Sequence, residues 1–168
     1  MRYFIAACLA ALCVGTASAQ APNRLEGVWQ IVERVTPAAN PRAMGVEVVS
    51  TNPQPGLIIF TRGHYSEVYL GGPPRAVTPL PVEPLNLSDA EKIAKYEEWR
   101  PLTANAGTYE VSGSVLTRHP IVAKNVEVLT RQTRIPLELR FEDENTLWLM
   151  PMGERATVEP RTKLVRVE

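Results

Sequence analysis

Cysteine is almost missing from this chain: of 168 residues only Cys8 and Cys13 carry a thiol, and both fall near the N-terminus. Without that segment no disulfide can form, and the fold must be held by its core alone. Histidine is as scarce. His64 and His119 are the only two, and no H-x-x-x-H or carboxylate spacing joins them into a metal site. Charge of one sign is lacking as well, with 18 basic residues against 18 acidic, so nothing steers the chain towards nucleic acid or an anionic membrane surface. There is no G-x-S-x-G, no phosphate loop and no H-E-x-x-H, and no cofactor is expected. Beyond the first 20 residues no apolar run approaches the roughly 20 residues needed to span a bilayer.

What the N-terminus does contain is a leader. "MRYFIAACLAALCVGTASAQ" has a positive charge at Arg2, an apolar or small run from Tyr3 to Val14, and a small-x-small site at Ala17 to Ala19. This is the layout of a secretory signal peptide over residues 1–19, cleaved after Ala19 to leave Gln20 first. Export to a periplasmic or extracellular space follows. A lipid anchor on Cys8 is the lesser alternative, because few apolar residues precede it. Losing Arg2 leaves 17 basic residues against 18 acidic, a net charge of about −1. Residues 20–168, about 150 in number, fit one domain with a sizeable core.

Strand patterns dominate that domain. "LEGVWQIVERV" alternates as a first strand, with Trp29, Ile31 and Glu33 on one face. A loop rich in Pro and Asn follows, holding at most a short strand around Val46 to Val49. "LIIF" and "YSEVYL" form a hairpin around "TRGH", with Gly63 in the turn. "GTYEV" and "SVLTRH" form another across Ser112 and Gly113. From Val126 a longer run ends in "RIPLELRF", whose Ile135, Leu137, Leu139 and Phe141 share a face; "TLWLM" continues it and "RTKLVRVE" closes the chain. Between the first two hairpins lies a proline loop, then one amphipathic helix. Ser88 and Glu91 make a capping box at its start, Ile93, Tyr96 and Trp99 form an apolar stripe, and Pro101 stops it. That stripe is expected to lie on the barrel. About eight neighbouring strands with one apolar face do best by closing, so the fold class is an all-β, antiparallel up-and-down barrel with one helix.

The Gly27-x-Trp29 opening, then "PGLIIFTRGHYSEVYL", "AGTYEVSG" and "LELRFEDENTLWL" in that order, resemble the blocks of the bacterial lipocalin-like domain family, a calycin-type barrel. The resemblance covers nearly all of residues 20–168. It implies that Arg166 of the last strand covers Trp29, a cation–π contact worth roughly 0.5 to 2 kcal/mol. It implies the fold, and a function does not follow from a fold.

"GHYSEV" looks at first like a His-Tyr-Ser site, but strand alternation turns Tyr65 away from His64 and Ser66. Those two share a face roughly 6.5 to 7 Å apart along the strand, beyond direct contact. Whether His64 faces the barrel mouth or solvent is open. The leading function is an exported protein that binds a small hydrophobic molecule in a barrel cavity, lined by Tyr65, Tyr69, Trp99, His119 and Arg131. Arg131 is in phase with the apolar face of its strand, and as an inward charge needs Glu110 or a ligand carboxylate as partner. The rival readings are an isomerase, cyclase or hydrolase with His64 or His119 as general base, and a protein-interaction module.

Overall fold

Alternating side chains build nine strands in the computed structural model, which describes residues 24–38, 45–72, 86–130 and 135–168. They are β1 (Gly27–Thr36), β2 (Val48–Ser50), β3 (Gly56–Thr61), β4 (His64–Leu70), β5 (Leu102–Ser112), β6 (Val115–Ala123), β7 (Ile135–Phe141), β8 (Thr146–Pro151) and β9 (Arg161–Arg166). Helix α1 (Asp89–Trp99) precedes β5, a short α2 (Glu127–Thr130) precedes β7, and a 3-10 turn (Gly153–Thr157) precedes β9. Every pairing is antiparallel, the order from β3 to β9 follows the chain, and β9 returns to pair with β1. Eight strands thus close into an up-and-down barrel; β2 is a short extra strand beside the far end of β1. Closure leaves the main sheet no free edge.

The two ends of the barrel differ. At one end β3–β4 turn through Arg62 and Gly63, β5–β6 through Gly113 and Ser114, and β7–β8 through 142–145, all tight hairpins. Gly63 holds φ at +79°, the left-handed geometry that such a turn needs. The other end carries all the long connections, including α1, α2 and the 3-10 turn.

The hairpin end holds the apolar core. Trp29, Phe60, Leu116, Leu147 and Leu164 are fully enclosed, with Leu25 packed beneath them. Tyr109 meets Phe60 edge-on at 5.3 Å between centroids and donates its hydroxyl to the Thr61 carbonyl at 2.9 Å. Full burial of each such side chain contributes about 1.5 to 3 kcal/mol. Trp29 donates its indole N–H to the Leu25 carbonyl at 2.8 Å, so its polar edge is satisfied in the core. Arg166 lies over the ring, its guanidinium carbon 4.2 Å from the centroid, and donates to the Glu26 and Arg24 carbonyls. The glycine of the Gly-x-Trp opening has its own reason. Gly27 sits at φ +138°, and a Cβ there would collide with both Arg166 Nη1 and the Glu168 carbonyl oxygen.

Three expectations need correction. A bulge between Ile31 and Glu33 shifts β1 by one residue, so Glu33 lies opposite Lys163 and Arg34 takes the inward phase instead. The run from Val126 is not strand throughout, because Glu127–Thr130 forms α2 and β7 begins only at Ile135. Helix α1 has the predicted capping box, Ser88 accepting from the Glu91 amide while its own amide donates to Glu91, yet it buries no residue. Its stripe faces solvent: Ile93, Tyr96 and Trp99 are 63%, 64% and 58% exposed.

Candidate functional site

Towards the loop end the barrel interior turns polar. On β4 the buried phase runs Tyr65, Glu67, Tyr69, and on β6 Leu116 is followed two residues later by Arg118. Register sets Glu67 opposite Asn105 of β5, and Arg118 of β6 opposite Tyr109 of the same strand. One layer of the interior therefore gathers Tyr65, Glu67, Asn105 and Arg118.

Glu67 is the hub. One carboxylate oxygen accepts from Arg118 Nη1 at 2.6 Å and the other from Asn105 Nδ2, also at 2.6 Å. The two ionic side chains are only 8% and 9% exposed. Removing such charges from water costs several kcal/mol each, so the attraction between them mainly offsets that loss. Burial disfavours the Arg118 charge, but the charge and hydrogen bond of the Glu67 carboxylate oppose it, and the group is held above the usual arginine range. Burial also pushes the Tyr65 phenol up to about 12, against the pull of Arg118, with Glu67 adding to the rise. The Arg118 guanidinium carbon lies 5.3 Å from the Tyr65 ring centroid.

This network is incomplete. The Tyr65 hydroxyl, Arg118 Nε and Asn105 Oδ1 are all buried and have no hydrogen-bond partner. Each such atom costs about 1 to 3 kcal/mol when left unpaired. Nearer the loop end, Arg34 stacks over Tyr69, its guanidinium carbon 4.5 Å from the ring centroid. Arg34 shares the inward phase with Thr162 of β9.

Of the residues expected to line the interior, Tyr65 is buried there and Tyr69 is half-buried there beneath Arg34. Trp99 lies on the exposed stripe of α1. Lys124 fixes that end of the helix by donating to the carbonyls of Trp99 (2.6 Å), Arg100 (3.2 Å) and Leu102 (3.1 Å). His119 pairs with Thr108 on the outer phase of β6, 3.7 Å from Glu110, with its Nε2 enclosed and unbonded. Arg131 falls outside the described residues, and its suggested partner Glu110 is on the outer wall. His64 is exposed on the outer phase of β4, with Ser66, which answers whether it faces mouth or solvent. Among the described residues no three His, Cys, Asp or Glu side chains gather as a metal site, and no helix is long and apolar enough to cross a membrane.

The pattern overlooked Glu67, Asn105, Arg118 and Arg34. A signal for two of them was present: the period-two phase that turns Tyr65 and Tyr69 inward carries Glu67 with it, and Leu116 does the same for Arg118. Arg34 reaches the interior only through the β1 bulge.

No family model and no curated protein matches the chain. Among solved structures it is similar to a lipocalin-like protein from Bacteroides uniformis, at 14% identity and a TM-score of 0.47, over 86% of this chain and 99% of that one. It is also similar to a redesigned β-barrel, at 9% identity and a TM-score of 0.40, over 86% and 93% of the two chains. By its own strand order, register and closure, the chain is an all-β, up-and-down barrel of eight antiparallel strands.

Proposed function

We propose that this is an exported binding protein that holds a small hydrophobic molecule in the loop-end half of its barrel. The observation that carries this reading is the unfinished polar layer: three buried, unpartnered atoms on Tyr65, Asn105 and Arg118, grouped around one ion pair. Buried polar atoms in folded proteins nearly always find partners, and a few convergent polar groups in an otherwise apolar interior are what fixes a ligand's orientation. The outward placement of both histidines favours binding over chemistry, since neither stands beside this layer as a base. Export is proposed from the leader at 1–19, and N-terminal sequencing of protein from its own host should begin at Gln20. Native mass spectrometry of the same material tests the binding reading. A retained small molecule is expected; a bare polypeptide mass under gentle conditions would count against it.

A further inference from the structure

The interior also indicates which chemical class of molecule it takes, an inference that rests on the binding reading above. Among the described residues the inward-phase charges in the loop-end half are Arg34, Glu67 and Arg118, two positive against one negative. Both Glu67 oxygens are already engaged, by Asn105 and Arg118. A cationic head would therefore meet no free carboxylate here. Donors outnumber acceptors instead: Arg118 Nε and the Tyr65 hydroxyl have no acceptor, against one unpaired acceptor, Asn105 Oδ1. Arg34 faces the Tyr69 ring, and Tyr69 follows Glu67, the partner of Arg118, on the inward phase of β4, so both guanidinium groups lie along that strand.

Depth supplies the second half of the inference. Below the polar layer the barrel is filled by Trp29, Phe60, Leu116 and Leu147, so an apolar tail has no course further inward. Above it, at the loop end, large apolar side chains stand exposed: Ile93, Tyr96 and Trp99 on α1, and Ile121 and Val122 at the end of β6. Lys124 ties the C-terminal end of α1 to that same rim. Polar groups thus lie deep and apolar groups lie shallow.

We propose that the occupant is an amphipathic organic anion bound head-inward, its acidic head between Arg34 and Arg118 and its apolar body against the α1 and β6 rim. A carboxylate head accepts from Arg118 Nε, from the Tyr65 hydroxyl and from Arg34, while Asn105 Oδ1 takes a neighbouring hydroxyl where the ligand has one.

The test uses the full chain freed of any leader, titrated calorimetrically with decanoate, 1-decanol and decyltrimethylammonium, which differ only in the head. Decanoate is expected to bind at least tenfold more tightly than the other two. Arg34→Leu should remove that preference with the circular dichroism spectrum unchanged, and Arg34→Lys should restore part of it. Equal binding of all three, or preference for the cation, would overturn the anion assignment and leave the binding reading standing; binding of none would overturn both. Orientation is read with 10-bromodecanoate, whose terminal bromine quenches nearby indoles. Quenching that disappears in Trp99→Phe is expected, whereas quenching that persists in that variant would overturn the head-inward arrangement.

Discussion

The two halves of this barrel are built from the same strands and solve opposite problems. At the hairpin end the large side chains are apolar or, like Trp29 and Tyr109, have their polar atom bonded to a backbone carbonyl, with Tyr65 opposite Phe60 as the exception. From Tyr65 towards the loop end a carboxylate and a guanidinium are buried together and three polar atoms go unpaired. The first arrangement stabilises; the second costs stability that the first must supply. A protein selected for stability alone would fill both ends in the same way, and the binding reading proposed above accounts for the difference.

Substitutions sharpen that contrast. Trp29→Ala should have the largest effect, a loss of about 3 to 5 kcal/mol in urea unfolding, because it empties an enclosed site and strips Arg166 of its ring. A loss under about 1 kcal/mol would mean that the hairpin end is not the stabilising half. In the polar half, Arg118→Met leaves Glu67 buried without its ion-pair partner and should cost about 3 to 5 kcal/mol. Adding Glu67→Leu should recover most of this, and the double variant is expected to match or exceed the natural chain in stability. If the double variant is instead the least stable of the three, the pair is a net contributor and the contrast fails.

The next effect depends on pH. Tyr65 titrates at about 12 in the folded chain against a reference value of 10.0, because burial opposes its ionised form. The unfolded chain therefore gives up this proton first, so stability is unaffected below pH 10 and falls as pH rises towards 12. Absorbance at 295 nm should show one phenol titrating late, and Tyr65→Phe should abolish the late step. The smallest effect is expected at the rim. Trp99→Ser, on the exposed face of α1, should change stability by less than about 0.5 kcal/mol, while weakening retention of a bound molecule. An effect as large as that of Trp29→Ala would mean that the helix packs on the barrel after all.

Much of the hairpin end was legible in the sequence. Its turns carry Gly63 and Gly113, its strands alternate cleanly from Leu137 to Phe141, and Trp29 and Arg166 are directly opposed in the β1–β9 register. The loop end was harder to read for physical reasons. Glu67 and Arg118 lie 51 residues apart on strands separated by β5, so their pairing depends on the β4–β5–β6 register rather than on any local spacing. A bulge reverses the phase of β1 and brings in Arg34, which simple alternation points outward. The stripe of α1 has core-like spacing, but spacing gives a shared face and not what covers it, and here it faces solvent. Arg131, the inward charge expected from the pattern, lies outside the described residues; Arg34, Arg118 and Arg166 are inward arginines of the described strands.

The most direct test of the central claim is a crystal structure of the protein purified from its own host without denaturation, refined to a resolution at which waters are distinct. Non-protein density in contact with Arg118 Nε and the Tyr65 hydroxyl, on the Arg34 side of the ion pair, is the predicted result. Finding those atoms bonded only to waters or to other side chains of the barrel would contradict it, and the polar layer would then be a structural feature with no occupant.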